Sequence, residues 1–250
     1  MKNVVLLIAM LLLPSMGNSQ TLHSLIMINK EEPNRQTDRT AEMNNMSTFV
    51  RTLASTLGYH NKMTTRSGKS FTSVQLESDL NNMVVNDNDI VVFYYSGHGV
   101  NWDDDEWPHM ALLDRQYHAT KVYNKLLEKF GNAKLILCIA ACCNMDEEGR
   151  SRERKTYASL DQNLAKQLFT GFSGHRAYIA SSSIRGQYSY SWSGGATPGA
   201  IYGISLREAI QDALTGKIKA DWDYVFESAK QKTLNKTGNK QMPQYSKKRW

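Results

Sequence analysis

The sequence predicts an α/β fold in which a mainly parallel sheet is covered by helices on both faces. Short apolar segments rich in β-branched and aromatic residues recur along the chain, and such segments are typical of strands buried on both faces. Segments with apolar residues at helical spacing lie between them. Strands that alternate with helices form βαβ units, whose sheet is the middle layer of a sandwich. A length of 250 residues suits one such domain.

The predicted elements follow one another along most of the chain. The predicted strands cover residues 22–28, 62–65, 89–95, 135–141 and 176–181. The predicted helices cover residues 40–57, 72–83, 119–130, 201–213 and 222–234. Because no repeat or low-complexity linker divides the chain, we expect one domain over residues 20–250.

The first 19 residues have the layout of a secretory signal peptide. Lys2 precedes an apolar run over residues 4–13, and Gly17 and Ser19 are small residues before a cut after Ser19. The run is well short of the roughly 20 apolar residues that span a bilayer. We therefore expect export to the periplasm, cell surface or medium, with no membrane span in the cleaved chain.

Charge and cysteine content exclude some classes of function. The formal charge of +6 is modest and scattered, so nucleic acid is not an expected partner. Its densest cluster, Lys247-Lys248-Arg249, is expected to be a solvated tail. The three cysteines lie within six residues (Cys138, Cys142 and Cys143), which leaves reactivity, packing or metal binding as their role. The sequence does not indicate an oligomeric state.

His98 and Cys142 each follow the end of a strongly apolar predicted strand. Ligands of such sheets bind at the carboxyl ends of the strands, so the two side chains meet if their strands are neighbours. A histidine beside a cysteine can accept the thiol proton and later protonate a departing amine. The backbone N–H of Gly99 and that of the nucleophile could stabilise the oxyanion.

These segments resemble those of the caspase-like cysteine peptidases. Residues 89–99, which end Tyr-Ser-Gly-His-Gly, resemble the histidine motif, and residues 135–142 resemble the nucleophile strand. Further similarity lies in residues 180–183, 187–190, 199–202 and 241–244. The resemblance implies a three-layer sandwich with a central six-stranded, mainly parallel sheet. It also implies hydrolysis of peptide bonds by a Cys-His dyad, with no required cofactor.

The resemblance also assigns roles to residues. His98 becomes the acid/base, Gly99 an oxyanion donor and Cys142 the nucleophile. The family places its cysteine two residues after an acidic or glutamine position, and Ala140 keeps that spacing to Cys142. Cys143 is the alternative, one residue late and pointing the other way. Cys138 lies within the strand and is expected in the core.

The bond that is cut is harder to predict, because Ala140 replaces the acid of metacaspases and the glutamine of caspases. Asp38 and Glu42 could supply a carboxylate for a basic substrate residue, whereas Arg35 would favour an acidic one. We expect cleavage after arginine or lysine.

Tyr188, Tyr190 and Trp192 alternate as strand residues do. By resemblance they form, with Ser182, the wall along which an extended peptide substrate binds. A half-buried strand without this role is the other interpretation.

Two charged segments have a candidate role and a plain alternative. Asp103, Asp104 and Asp105 lie where metacaspases bind calcium, and carboxylates suit that ion, but a solvated loop explains them equally well. Residues 146–155 resemble the linker that is cut on activation, and otherwise form an uncut surface loop. Its candidate self-cleavage points are Arg150, Arg152, Arg154 and Lys155.

Three other functions compete with the peptidase. A non-catalytic relative would bind peptides without cutting them, and the missing acid at Ala140 favours it. A zinc site would use His98, Cys142 and Cys143, although adjacent cysteines rarely reach one tetrahedral ion. A plain α/β binding module is the third. The presence of both dyad residues favours the enzyme.

Overall fold

A computed structural model of the chain describes residues 20–31, 36–101, 105–143, 160–192 and 199–250. The predicted signal peptide therefore lies outside the described residues. The helices are α1 (Gln36–Leu57), α2 (Ser73–Asn82), α3 (Ala119–Phe130), α4 (Gln162–Phe169), α5 (Ile201–Leu214) and α6 (Trp222–Thr237). The strands are β1 (Thr21–Ile28), β2 (His60–Arg66), β3 (Ile90–Ser96), β4 (Gly99–Val100), β5 (His109–Ala111), β6 (Gln116–His118), β7 (Leu135–Ala141), β8 (Arg176–Ser181), β9 (Ser191–Trp192), β10 (Gly199–Ala200) and β11 (Gln244–Arg249).

Six strands form the central sheet in the order β11-β8-β7-β3-β1-β2. All neighbours are parallel except β11, which runs antiparallel to β8. Alternate residues of β3 enter two separate cores: Val92 and Tyr94 pack with α1, α4, α5 and α6, whereas Phe93 and Tyr95 pack with α2 and α3. The predicted α/β sandwich with a mainly parallel six-stranded sheet is confirmed.

Helix α1 shows how the sequence builds a layer. Met43, Met46, Val50 and Leu53 recur at helical spacing and are all buried against the sheet. Fully burying an aliphatic side chain of this size stabilises the fold by roughly 1.5–3 kcal/mol. Among the described residues, no helix combines the length and the apolar character that crossing a bilayer requires.

Several short elements were not predicted. The ribbon β4-β5-β6 consists of strands of two or three residues, too short to show a period of two. Strand β11 was not predicted either: Lys247, Lys248 and Arg249 are exposed, as expected of a solvated tail, but they form a strand. Lys247, Lys248 and Arg249 pair with β8 as an edge strand, where exposed cations discourage pairing with another chain.

A buried histidine–aspartate pair closes the amino-terminal end of the sheet. His23 Nε2 lies 3.0 Å from Asp89 Oδ2, and Asp89 also accepts hydrogen bonds from the backbone N–H of Thr21 (2.7 Å) and Asn86 (2.9 Å). Burial lowers the pKa of His23, although the hydrogen bond to Asp89 opposes the shift. The neutral imidazole is therefore the form that the folded chain holds.

We expect acidification to destabilise the protein through His23. Its pKa is lower in the folded chain than the value of about 6.5 in an unfolded chain, so protonation favours unfolding. The stabilising contribution is complete above about pH 6.5 and is lost as the pH falls below it, by up to about 1.4 kcal/mol per pH unit for one proton. Urea unfolding at pH 7.5 and 5.5 measures the loss. A His23→Gln variant, which does not titrate, should lose less, and an equal loss in both chains would contradict the assignment.

Candidate active site

The predicted dyad residues His98 and Cys142 follow the carboxyl ends of β3 and β7, which are adjacent parallel strands. In their register Tyr95 pairs with Ala140, and Ser96 pairs with Ala141. The exposed His98 and the half-buried Cys143 each stand two residues beyond the last pair of this register. Because neighbouring strands lie about 4.8 Å apart, both residues emerge at the same edge of the sheet. The expectation that the two strands are neighbours is confirmed.

The two adjacent cysteines differ in exposure. Cys142 is 1% exposed, and burial raises the pKa of its thiol well above the ordinary value, with the neighbouring Cys143 acting in the same direction. Cys143 is only half-buried, and its Sγ lies 3.3 Å from the backbone N and 3.4 Å from the backbone O of Ser189. Cys138 lies in the core, and burial raises the pKa of its thiol too. Of the two adjacent thiols, the structure therefore buries the predicted nucleophile Cys142 and leaves Cys143 partly exposed.

Strand geometry explains why Cys142 is buried. Side chains of a strand alternate between its faces, so Cys142 lies on the same face as Cys138 and Ala140, towards α2 and α3. Backbone of β4 covers it: a Cβ at Gly99 would lie 2.9 Å from Cys142 Cβ and closer still to Cys142 Sγ and Cys143 O. Only glycine lets β4 approach the cysteines this closely.

The backbone N–H of Gly99 is directed away from the ribbon. Ala111 N donates to His98 O at 3.0 Å, which makes these two residues a hydrogen-bonded pair of the antiparallel β4-β5 ladder. The next pair, Gly99 with Met110, is then non-hydrogen-bonded, and its N–H groups point away from the partner strand. Tyr95 Oη lies 2.6 Å from the same His98 carbonyl and holds the turn. A backbone N–H that points away from its partner strand beside a thiol is the type of group that forms an oxyanion hole.

A buried polar cluster lies below this edge on the α1 face. Glu42 is 0% exposed, and it accepts hydrogen bonds from Tyr94 Oη (2.8 Å) and Arg39 Nη1 (3.1 Å). Arg39 Nη1 also donates to Ser96 Oγ at 3.0 Å. Arg207 of α5 is buried beside Tyr94, and its Nη1 has no hydrogen-bond partner among the described residues. Burial raises the pKa of Tyr94, and the Glu42 carboxylate adds to the shift.

The predicted substrate-binding acids therefore occupy different environments. Gly199 has φ 131°, and a Cβ there would lie 2.7 Å from Glu42 Cδ, so the β10 backbone closes over that carboxylate. A substrate cannot reach either oxygen of Glu42 in this structure. Asp38 is half-buried in the first turn of α1, nearer the surface. Arg35 lies outside the described residues.

Ser182 forms hydrogen bonds to the backbone at the end of β7, next to the cysteines. It is 0% exposed; its backbone N donates to Ala140 O at 3.1 Å, and its hydroxyl donates to Cys142 O. These contacts hold the end of β7 in place. The buried side chain is a support in this structure and has no surface to offer a peptide.

The aromatic wall differs from its predicted form. The strand expected over residues 188–192 is limited to β9, Ser191–Trp192. Tyr188 and Tyr190 are half-buried in an irregular segment, because the backbone N–H of Tyr190 bonds to the Gln241 side chain at 2.8 Å and not to a strand. Trp192 is buried against Ile201 and Ile204. The prediction of a continuous strand was therefore wrong.

Ser189 and Gln241 were not predicted as site residues. Ser189 touches Cys143, and Gln241 holds the segment that contains Ser189. The sequence marks Ser189 and Gln241 only through their place in segments that resemble the family. Gln241 lies outside every predicted helix and strand, so no periodicity indicated its burial.

The acidic segment is described only at Asp105. Asp103 and Asp104 lie outside the described residues, as do residues 146–155. Asp105 Oδ2 lies 2.8 Å from His118 Nε2, and its Oδ1 accepts from Trp107 N at 3.2 Å. In the part of the chain that the structure describes, His98 and the cysteines included, no three His, Cys, Asp or Glu side chains are grouped to hold a metal ion.

Comparisons with known proteins agree with this architecture. A family model described as the caspase domain matches residues 23–249. Caspase-1 from Spodoptera frugiperda is similar in structure, with a TM-score of 0.58, 15% identity, and coverage of 92% of this chain and 87% of that one. A protein of Geobacter sulfurreducens has a TM-score of 0.53, 14% identity, and coverage of 92% and 94%. A sequence search of curated proteins finds no match.

Proposed function

The chain belongs to the caspase-domain family, and from this premise we propose that it is an exported cysteine endopeptidase that uses His98 and an adjacent thiol. Family membership supports a cysteine-peptidase-like function in general. One observation supports the specific proposal: His98 and Cys143 follow the ends of the adjacent parallel strands β3 and β7, and the Gly99 N–H points away from β5 at the same edge.

We assign the attacking thiol to Cys143 in place of Cys142. A nucleophile must reach the substrate as a thiolate. Cys142 is only 1% exposed, so a substrate does not reach its sulfur, and burial raises the pKa of its thiol. Cys143 is half-buried and has the Ser189 N–H within 3.3 Å of its sulfur, where it would stabilise a thiolate. Cys142 then becomes the small residue before the nucleophile, and Ala141 occupies the position of the family's acid or glutamine.

The proposed reaction follows from this arrangement. The Cys143 thiolate attacks the scissile carbonyl carbon, and the resulting oxyanion accepts hydrogen bonds from the N–H groups of Gly99 and Cys143. His98, protonated by the thiol, gives its proton to the leaving amine as the C–N bond breaks. Water then attacks the thioester, His98 takes its proton, and the thiol is regenerated. Each oxyanion donor contributes about 2.7–4 kcal/mol to lowering the barrier.

We propose that cleavage follows a basic residue and that Asp38 is the carboxylate that binds it. Asp38 is half-buried at the start of α1, which follows β1 at the carboxyl edge of the sheet. Glu42 is excluded from this role by its burial and its two hydrogen bonds. If Asp38 does not bind the substrate, Arg35 would favour an acidic residue instead.

Export and self-processing complete the proposal. The apolar run over residues 4–13 supports cleavage after Ser19, and the charged composition of residues 146–155 supports a cut in that loop. Protein recovered outside the producing cells should begin at Gln20. Calcium is proposed as a modulator only, because Asp105 already contacts His118 and Trp107.

A panel of fluorogenic peptides tests the function. Purified chain 20–250 should hydrolyse peptides ending in arginine or lysine at least about tenfold faster than matched peptides ending in aspartate, since a charge mismatch beside a carboxylate costs on the order of 1 kcal/mol or more. Assays with added calcium and with EDTA measure its effect. The same chain blocked with iodoacetamide is the control.

Each other outcome selects an alternative. Faster cleavage after aspartate would replace Asp38 by Arg35 as the source of specificity. Binding of peptides without cleavage of any member of a broad library would favour the non-catalytic relative. Mass spectrometry of the incubated chain shows whether residues 146–155 are cut, and mixing with an inactive chain distinguishes cleavage in cis from cleavage in trans.

A further inference from the structure

Gln241 is a buried side chain that the proposed reaction does not use. It lies between α6 and β11 and is 0% exposed. Its Nε2 donates to Ser182 O at 2.9 Å and lies 3.4 Å from Ser189 Oγ, and its Oε1 accepts from Tyr190 N at 2.8 Å. Both ends of the amide are therefore bonded to the segment from Ser182 to Tyr190.

These contacts surround Ser189, whose backbone touches the Cys143 sulfur. Ser189 N and O lie 3.3 and 3.4 Å from Cys143 Sγ. A thiol can donate to the carbonyl, whereas a thiolate can only accept from the N–H. Because Gln241 bonds to the next backbone N–H, that of Tyr190, and contacts the Ser189 side chain, it determines where the Ser189 N–H points.

A second anchor acts on the same segment without reaching Ser189. Met242 N donates to Gln187 Oε1 at 2.8 Å, and Ile184 N donates to Met242 O at 2.8 Å. The carboxyl-terminal segment thus holds the residue 182–190 loop at several points. Gln241 alone among these anchors contacts Ser189 and Tyr190.

We propose that Gln241 is a positioning residue that holds the Ser189 N–H on Cys143 Sγ and so keeps this thiol ready to ionise. The inference rests on the proposed role of Cys143. A hydrogen bond to the charged form favours that form, and bonds to charged groups are among the stronger ones in proteins. The covalent chemistry is unchanged, because Gln241 acts only through the Ser189 backbone.

The test measures thiol ionisation and not peptide hydrolysis. Wild type, Gln241→Met and Gln244→Ala are alkylated with iodoacetamide between pH 5 and 10, and mass spectrometric fragmentation assigns the modified cysteine. In Gln241→Met we expect alkylation of Cys143 at pH 7 to be about tenfold slower and the pH midpoint to be higher. Gln244→Ala is the matched control: its Nε2 donates to Glu106 O, away from the thiol, so its curve should match wild type.

Cys138 provides an internal check on folding, because its buried thiol becomes reactive only when the chain unfolds. If Cys138 becomes reactive in Gln241→Met, the Gln241→Asn variant is used in its place. This variant keeps the amide on a shorter side chain, so it should slow the alkylation of Cys143 by a smaller factor. A folded Gln241 variant with the wild-type curve would overturn the inference. If that result were found while Cys143→Ala still abolished peptide hydrolysis, the role of Gln241 would fail and the proposed function would stand. Failure of the inference is therefore distinguishable from failure of the proposed function.

Discussion

Cys143→Ala is expected to abolish peptide hydrolysis, by at least about 10³-fold in kcat/KM, whereas Cys142→Ala should retain most of it. The reason is access: Cys143 is half-buried beside Ser189, while the Cys142 thiol is 1% exposed beneath Gly99. Cys142→Ala removes one buried sulfur and should cost on the order of 1 kcal/mol of unfolding free energy, which leaves the chain folded.

We also expect the two thiols to give opposite results when the chain is alkylated. At neutral pH iodoacetamide should modify Cys143 and leave Cys142 unmodified, because the reactive species is the thiolate and burial raises the pKa of the Cys142 thiol. His98→Ala should lower hydrolysis strongly, and the double variant with Cys143→Ala should be no worse than Cys143→Ala alone, because a dyad acts as a unit. His60→Ala, an exposed histidine on the edge strand β2, is the control. An inactive Cys142→Ala beside an active Cys143→Ala would return the role to Cys142.

The position of His98 was predictable from the sequence, and the choice of thiol was only partly so. The uncharged run of β3 and the apolar run of β7 identified two strands, and both catalytic candidates follow strand ends. The period of two along β7 also places Cys142 on the same face as Cys138, which was expected in the core. What the sequence could not show is where β7 ends, because one residue decides which of two adjacent side chains faces solvent.

The surroundings of Glu42 were beyond sequence reasoning for a different reason. Glu42 lies at helical spacing from Met46 and Phe49, so its burial was visible in the pattern of α1. Its hydrogen-bond partner Tyr94 comes from β3, and Arg207, the buried cation beside Tyr94, comes from α5; pairing between distant segments is set by topology. The ribbon β4-β5-β6 was not predicted for the same reason: its strands are defined by their pairing with one another and not by a local sequence pattern.

Glu42→Ala is expected to reduce the free energy of unfolding by about 3–5 kcal/mol. The substitution removes the acceptor of Tyr94 Oη and a carboxylate partner of the buried Arg39, in a region that holds a second buried cation, Arg207. Removing one partner of a buried ion pair costs far more than removing one partner of an exposed pair. Glu77→Ala is the control: its pair with Arg115 has side chains 40% and 55% exposed, so we expect a loss below about 1 kcal/mol.

Urea unfolding and the peptide panel together separate the two roles open to Glu42. As a buried counter-ion, Glu42 should give a large stability loss in Glu42→Ala and a smaller one in Glu42→Gln, which keeps an acceptor oxygen. Activity should fall too, because Arg39 bonds to Ser96, two residues before His98, while the preference between arginine and aspartate peptides stays the same. A stable variant with a changed preference would instead make Glu42 a substrate ligand. Since β10 closes over the carboxylate, that outcome would require β10 to move when a peptide binds.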